Sequence, residues 1–165
     1  MNSSKTDWLH AKIMDREKLV RKCNSWRGSG KKIVFTNGCF DLLHTGHLDY
    51  LARAADLGNM LVVGLNSDAS VRRLKGPERP VNRQDDRALA LAALLLVDAV
   101  CIFDQDTPLE LIQAVKPDVL AKGGDYTPET IVGTPFVVGY GGTIAVLPFV
   151  EGYSTTALLT KIRSL

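Results

Sequence analysis

Short apolar runs alternate along the chain with longer stretches in which leucine and alanine recur at helical spacing. The first run, KIVFT at residues 32–36, has an apolar centre and is rich in β-branched residues, which is typical of a strand covered on both faces. From Gly46 onward, the spacing of Leu48, Leu51 and Ala55 changes to that of one helix face. Four later runs also predict buried strands, at residues 60–65, 99–103, 118–121 and 143–147.

The segments between these runs predict helices, so strands and helices alternate. Residues 107–110 (TPLE) predict a capping box with proline at the first helical position. Further helices are predicted at residues 14–27, 46–57 and 85–96, and from residues 68 and 155 onward. This alternation indicates the α/β class, as a Rossmann-like three-layer sandwich with a five-stranded parallel sheet. We expect a single domain over residues 1–165, with residues 1–30 as an N-terminal helical extension.

In a parallel sheet of this kind, ligands bind beyond the carboxyl ends of the strands. Four polar or glycine-containing loops fall there, at residues 36–47, 66–75, 122–126 and 151–156. Because these loops meet at one edge of the sheet, the sequence predicts a single site.

Composition narrows the classes of ligand. The 165 residues carry a net charge of +2, which is too small to indicate binding to nucleic acid or to a membrane surface. Three widely spaced cysteines suit a reducing compartment, and the first residues have no apolar stretch of signal-peptide length. We therefore expect a cytoplasmic protein with no nucleic acid and no membrane among its partners.

The first loop, TNGCFDLLHTGHLDYL at residues 36–51, holds two of the three histidines. The chain contains no P-loop sequence, and G-x-G-x-x-G does not follow the first strand. Unpaired N–H groups and the helix dipole favour an anion where the next helix begins, and Gly46 would let a phosphate approach the backbone. His44 and His47 could each donate a hydrogen bond to phosphate, and pKa values near neutrality would let them carry positive charge.

Two other interpretations of this loop stay open from its chemistry. Cys39, His44 and His47 could bind zinc, although the usual second pair of Cys or His ligands is missing. Alternatively, each histidine could be an ordinary capping or core residue.

Two segments carry a family resemblance. FTNGCFDLLHTGHLDYLARA at residues 35–54 resembles the signature of the H-x-G-H nucleotidyltransferase superfamily, and EGYSTTALLTKI at residues 151–162 resembles its second, phosphate-binding signature. Enzymes of this superfamily join a nucleoside monophosphate to a phosphorylated acceptor and release pyrophosphate. More narrowly, three segments together, at residues 66–82, 120–129 and 151–156, are similar to the adenylyltransferases of ADP-heptose synthesis. This resemblance implies transfer of AMP from ATP to D-glycero-β-D-manno-heptose 1-phosphate, giving ADP-heptose and pyrophosphate for lipopolysaccharide core precursor synthesis.

Two other functions are alternatives to this one, a glycerol-3-phosphate cytidylyltransferase and a non-catalytic ATP-binding module. A glycerol-3-phosphate cytidylyltransferase would carry R-T-E-G-I-S-T-T where this chain has FVEGYSTT at residues 149–156, and the missing arginine counts against it. A non-catalytic ATP-binding module need not retain the groups around the reacting phosphates. A sugar kinase has no room in 165 residues, so we expect a separate kinase to supply the heptose 1-phosphate.

Site roles follow from side-chain chemistry together with the resemblance. We expect His44, His47 and Lys75 to be catalytic, with Lys75 carried by a flexible loop. Arg79 and Arg87 are candidates for the acceptor phosphate, because guanidinium suits bidentate phosphate contacts. The nucleotide-binding set comprises Thr36, Asn37, Gly38, Cys39, Phe40, Gly46, Asn66, Ser154, Thr155 and Thr156. The substrate-binding set comprises Asp41, Arg79, Arg87, Lys122, Gly124 and Asp125.

The remaining expectations concern three of these side chains, the metal and the assembly. Asp41 would orient the first loop or the substrate by accepting backbone N–H bonds. Asp125 could bind sugar hydroxyls, and Lys122 could reach a phosphate. Mg²⁺ is expected with ATP, held largely by phosphates and water rather than by a protein metal site. The resemblance also implies a homo-oligomer, with a dimer as the expected form.

Overall fold

A computed structural model describes residues 4–124, 126–148, 150 and 152–165. The strands are β1 (Ile33–Gly38), β2 (Met60–Asn66), β3 (Ala99–Phe103), β4 (Val119–Gly123) and β5 (Thr143–Leu147). The α-helices are α1 (Lys5–Ala11), α2 (Arg16–Gly28), α3 (Thr45–Ala55), α4 (Asp68–Lys75), α5 (Gln84–Ala92), α6 (Leu109–Val115), α7 (Thr134–Gly139) and α8 (Thr155–Arg163), and one turn of 3₁₀ helix lies at Pro128–Thr130. All strand pairs are parallel, in the order β3-β2-β1-β4-β5, which confirms the predicted fold class.

Apolar side chains on the two faces of the sheet form two separate cores. Successive residues of a strand point to opposite faces, so Ile33 and Phe35 of β1 join one core and Val34 joins the other. The helices α2, α6 and α7 cover the first face, and α3 and α5 cover the second. Both faces of the central strands are therefore buried, which explains why their sequences are continuously apolar.

One predicted helix is too long at its C-terminal end. The sequence predicts a helix to residue 96, but α5 ends at Ala92. Beyond it the chain turns, and the Leu94 carbonyl accepts hydrogen bonds from Lys12 Nζ and from the Val97 N–H, each at 3.2 Å. A contact with a distant segment thus ends a helix that its leucine and alanine content would extend.

The predicted capping box at residues 107–110 is wrong. Pro108 is the N-cap of α6, and no side chain caps this helix. The Glu110 carboxylate lies 3.1 Å from the guanidinium of Arg16 instead of returning to the start of its own helix. The Thr107 hydroxyl is therefore not used as a cap.

The segment before β1 packs onto the sheet. In the first core α2 buries Leu19 and Cys23. Residues 12–14 run beside β3, where the Met14 N–H donates to the Val100 carbonyl at 2.9 Å. This pairing covers part of the outer edge of β3. The helix α1 was predicted only as part of the helical extension, and α7 was not predicted. No helix in the described ranges has the length and apolar character needed to cross a membrane.

Candidate active site

A cavity of about 540 Å³ lies at the carboxyl ends of the strands, where the strand order reverses between β1 and β4. Its volume is in the usual range for small-molecule sites, about 300–1,000 Å³. Residues from the ends of β1, β2 and β4 contribute to its wall, so the predicted loops do converge on one site. The predicted site residues that line it are Asn37, Gly38, Cys39, Phe40, Asp41, His44, Gly46, His47, Asn66, Lys75, Arg79, Lys122 and Thr155.

The two histidines stack at the start of α3. Their ring centroids are 3.8 Å apart with an angle of 18° between the planes. His44 is the N-cap of α3, and its Nδ1 accepts a hydrogen bond from the His47 N–H at 3.4 Å. The Nδ1 atom of His47 is buried and has no hydrogen-bond partner in the described part of the chain. His44 is thus a helix cap, as one alternative expected, and both rings also line the cavity.

Burial lowers the pKa of both imidazoles, and for His47 this corrects the expectation of a value near neutrality. Loss of solvent lowers the pKa of His44. Loss of solvent is also the main cause for His47, and the neighbouring His44 and Lys75 add to it, so the pKa of His47 falls to about 4. Both rings are therefore neutral at pH 7 in the ligand-free protein, and each can still donate one hydrogen bond.

Phe40 and Gly46 shape the backbone around this pair. Phe40 has a left-handed backbone with φ of 43°, which is uncommon for a residue with a side chain, and its ring centroid lies 5.2 Å from that of His47. A Cβ atom at Gly46 would lie 2.9 Å from Tyr153 Cβ and 3.2 Å from His44 Nδ1. Glycine is therefore required here because the late loop packs directly over the start of α3.

Near the end of β4, Lys122 brings an amine to the cavity in addition to that of Lys75. Lys122 Nζ lies 3.4 Å from Asn37 Oδ1 and 5.7 Å from the ring centre of Tyr126. Burial lowers the pKa of Lys122, with the nearby Cys39 acting in the opposite direction. Gly124 follows in a left-handed conformation outside the lining, and Asp125 lies outside the described residues.

Asp41 fastens the loop that follows Lys75. Its buried carboxylate lies 2.6 Å from Arg79 Nε and accepts hydrogen bonds from the N–H groups of Val81 at 2.8 Å and Asn82 at 3.1 Å. Lys75 itself is the last residue of α4. Lys75 thus lies at a helix end rather than on the expected loop, and residues 79–82 behind it are hydrogen-bonded to the first loop.

Arg87 lies inside the protein rather than in the cavity wall. Its side chain is fully buried and donates to the carbonyls of Asn82 (3.0 Å), Cys39 (2.6 Å) and Asn66 (2.9 Å) and to the carboxylate of Asp68 (2.8 Å). The guanidinium therefore ties together the segments that follow β1 and β2 and precede α5. This arrangement gives no support to the expected contact between Arg87 and a substrate phosphate.

The last helix begins at the cavity. Ser154 is the N-cap of α8 and accepts a hydrogen bond from the Ala157 N–H at 3.0 Å. Of the three predicted residues of this segment, Thr155 lines the cavity, while Ser154 and Thr156 do not. The first N–H groups of α8 remain available to an anion near Thr155.

Thr36, which was predicted to bind the nucleotide, does not line the cavity but contacts a residue that does. It is fully buried, and its Oγ1 lies 2.5 Å from the Oη of Tyr50, a lining residue that sequence reasoning missed. Burial raises the pKa of Tyr50 to about 12, so the phenol stays protonated.

Several other lining residues were missed. Tyr126 and Tyr153 come from the late loops, and Asp106, Thr107 and Pro108 come from the loop after β3. The rule that ligands bind at strand ends would have found the last three, because residues 104–108 directly follow a predicted strand. No motif distinguishes them in the sequence.

The described residues around the cavity do not form a protein metal site. Within the described ranges, no three His, Cys, Asp or Glu side chains lie close enough together to hold a metal ion. The alternative of a zinc site at Cys39, His44 and His47 therefore has no geometric support.

Comparisons with known proteins agree on one family. The family model described as cytidylyltransferase-like matches residues 35–161. The bifunctional protein HldE of Trichlorobacter lovleyi is 55% identical over 152 residues, which cover 92% of this chain and 31% of that protein. HldE of Wolinella succinogenes is 50% identical over 163 residues, covering 99% of this chain and 34% of that protein. The chain thus spans about a third of the length of these curated relatives.

Two solved structures share the fold. The lipopolysaccharide core biosynthesis protein from Thermoplasma volcanium superposes with a TM-score of 0.61 and 26% identity, covering 76% of this chain and all of that one. Pantoate-beta-alanine ligase from Francisella tularensis superposes with a TM-score of 0.60 and 16% identity, covering 93% of this chain and 78% of that one. At 16% identity the second likeness concerns the fold alone.

Proposed function

The chain belongs to the cytidylyltransferase-like family, which confirms the resemblance to the nucleotidyltransferases, and we propose that it transfers AMP from ATP to D-glycero-β-D-manno-heptose 1-phosphate. The products are ADP-heptose and pyrophosphate. The observation that carries the proposal is the stacked pair His44 and His47, which faces the cavity at the start of α3. This constellation offers neutral hydrogen-bond donors and a helix dipole to phosphate oxygens, and Lys75 and Lys122 add positive charge nearby.

The reaction needs no covalent intermediate with the protein. A phosphate oxygen of the acceptor attacks the α-phosphorus of ATP in line, and the bond from that phosphorus to the bridging oxygen of pyrophosphate breaks. Negative charge develops on the leaving pyrophosphate and on the α-phosphate oxygens. His44 and His47 donate hydrogen bonds to these oxygens, and Lys75 neutralises their charge. Positioning and charge neutralisation account for the rate increase.

The start of α8 supplies a second anion contact. Thr155 lines the cavity and the first N–H groups of this helix are not needed within it. We assign the β- and γ-phosphates of ATP to this end, with Ser154 as the residue that fixes the helix start.

The choice of acceptor rests on similarity rather than on geometry. Residues 66–82 and 120–129 carry the resemblance to adenylyltransferases of ADP-heptose synthesis. The identity of 50% or more to HldE proteins extends over nearly the whole chain. The structural neighbour from Thermoplasma volcanium is named for lipopolysaccharide core biosynthesis, the process that ADP-heptose would serve.

Magnesium would bind to this site through the nucleotide. The cavity wall offers two carboxylates among its described residues, Asp41 and Asp106, and the buried carboxylate of Asp41 is already paired with Arg79. Mg²⁺ bound mainly to the phosphates and water of ATP fits such a wall, since it prefers oxygen ligands and keeps several waters. When bound, the ion neutralises phosphate charge.

We also propose a cytoplasmic, homo-oligomeric protein. The cysteines are free, and Cys23 and Cys101 are buried as thiols, which suits a reducing compartment. The helix α8 buries none of its described side chains and leaves Ile162 half-exposed, so a second copy of the chain could cover it.

The direct test is pyrophosphate release by the purified protein with Mg²⁺. ATP and CTP are each combined with heptose 1-phosphate and with glycerol 3-phosphate. We expect turnover with ATP and heptose 1-phosphate alone. Turnover with CTP and glycerol 3-phosphate would establish the cytidylyltransferase alternative, whereas ATP binding without any turnover would indicate a non-catalytic module.

Nucleotide binding is expected to take up protons below neutral pH. The pKa of His47 is about 4 in the free protein, so the ring is neutral at pH 6. Bound phosphates favour the charged imidazolium and raise its pKa toward or above the ordinary value, and a raised pKa means proton uptake. Calorimetric titration of MgATP at pH 6, in two buffers of different ionisation enthalpy, measures this uptake.

The matched variant is His47→Asn, which removes the titrating group and keeps an amide donor. Uptake should fall in this variant and should be unchanged in His10→Ala, since His10 is exposed on α1. Proton release by the wild-type protein would contradict the assignment.

A further inference from the structure

The loop after β3 presents two polar side chains that the mechanism leaves unused. Thr107 does not cap α6, and together with Asp106 it lines the cavity. Both follow the carboxyl end of β3, at the opposite side of the sheet from β5. The histidine pair, which follows the central strand β1, lies between these two sides.

Strand order therefore divides the cavity into two ends. Thr155, which is assigned to the β- and γ-phosphates of ATP, follows β5, and Lys122 is the penultimate residue of β4, so these two contacts lie on the β4–β5 side. Asn66 ends β2 and Asp106 follows β3, so the β2–β3 side has its own wall. Because transfer must take place at the histidines between them, the second substrate fits the β2–β3 side.

Asp106 is held in place by an arginine. Arg73 Nε donates to Asp106 Oδ1 at 2.8 Å, and the same guanidinium also reaches the carbonyl and the carboxylate of Asp104. Within the described part of the chain, the second oxygen of Asp106 accepts no hydrogen bond. The Asp106 side chain is 75% exposed, so its free oxygen is accessible and suited to accept hydrogen bonds from a ligand.

The negative charge of Asp106 limits which groups of the two substrates it can bind. It repels phosphate, so its free oxygen is unsuited to the nucleotide phosphates or to the acceptor phosphate. The other carboxylate among the described lining residues, Asp41, is satisfied by Arg79 and by the amides of Val81 and Asn82. Neutral donors suit the Asp106 oxygen, the hydroxyl groups of a sugar among them, and the Thr107 hydroxyl can donate or accept beside it.

We propose that Asp106 and Thr107 form the subsite for the hydroxyl groups of a polyhydroxylated acceptor. This inference rests on the proposed function and adds the residues that select the sugar. Arg73 acts as a positioning residue for the Asp106 carboxylate.

The test compares Asp106→Ala with Asp104→Ala. Both variants remove a carboxylate near Arg73, but Asp106 lines the cavity and Asp104 does not. For Asp106→Ala we expect the KM for heptose 1-phosphate to rise roughly 10- to 100-fold, as for loss of a hydrogen bond to a charged group, with the KM for ATP unchanged. For Asp104→Ala we expect both KM values to stay near those of the wild type, and thermal unfolding of each variant checks the fold.

Outcomes for this subsite and for the proposed function can be separated. Wild-type turnover with an unchanged KM for heptose 1-phosphate in Asp106→Ala, or with equal rises for both substrates, would overturn the subsite and leave the function standing. If the wild type does not turn over heptose 1-phosphate, the proposed function fails. The subsite is then tested by calorimetry, which measures the binding of mannose 1-phosphate to the wild type and to Asp106→Ala with a nonhydrolysable ATP analogue present. Weaker binding of mannose 1-phosphate by Asp106→Ala than by the wild type supports it, and equal or absent binding overturns it.

Discussion

Replacing His47 by alanine is expected to lower kcat by about 10²- to 10³-fold, the usual loss for one donor to a developing oxyanion. The Kd for ATP should change far less, because the contact strengthens as charge develops on the phosphates. The stacked arrangement with His44 makes the two rings a unit, so the double variant should lose much less than the product of the two single losses. Steady-state kinetics and calorimetric titration of ATP provide the two measurements.

His10→Ala is the matched control for this experiment. His10 is the third histidine of the chain, exposed on α1 and not part of the cavity lining. It should retain wild-type kcat. A rise in KM for ATP at unchanged kcat in His47→Ala would show that His47 binds the ground state and the transition state equally, against a catalytic role.

Replacing Arg87 by alanine is expected to lower the free energy of unfolding by about 3–5 kcal/mol, which is typical when one partner of a buried ion pair is removed. The change leaves the Asp68 carboxylate without its cation and deprives three carbonyls of their donor. Such a loss is a large part of the stability of an average domain, about 5–15 kcal/mol. Denaturation in urea measures it, with slope and midpoint evaluated separately.

Arg72→Ala serves as the control, because Arg72 is exposed on α4 and its loss should change stability by less than about 0.5 kcal/mol. Arg87→Lys separates charge from geometry, since a single ammonium cannot make the four contacts of the guanidinium. An Arg87→Ala protein of wild-type stability with a raised KM for the acceptor would instead support the original expectation of a phosphate contact.

The architecture could be predicted from sequence because its signals are local. Each central strand is buried on both faces and therefore appears as a continuous apolar run, and the confirmed parallel sheet follows from the alternation with helices. The wrong capping box at residues 107–110 shows the limit of local signals. Its Glu110 pairs with Arg16, which is remote in sequence and brought close only by the fold.

In the candidate site too, features with local sequence signals could be predicted, and features that depend on distant contacts could not. The histidine loop was found because its glycine, its two imidazoles and its helix start are adjacent in sequence. The burial of Arg87 could not be found, because Cys39, Asn66 and Asp68 reach it from segments that precede it by many residues. The lowered pKa values of the histidines were missed for a related reason, since burial is a property of the folded chain.

The sheet order has a consequence for how the protein acquires activity during synthesis. Pairing of β1 with β4 brings together Asn37 and Lys122, which are 85 positions apart, whereas β1, β2 and β3 pair in chain order. Pairings between such distant segments form late, because a long loop must close before any contact compensates its entropy. A growing chain can therefore assemble the histidine loop on β1–β3 while the part of the cavity wall that comes from β4 and the later loops is still missing. Under the proposed function, we expect catalytic competence only after β4 has docked, so an emerging chain that already has native-like helices and strands would not yet consume nucleotide.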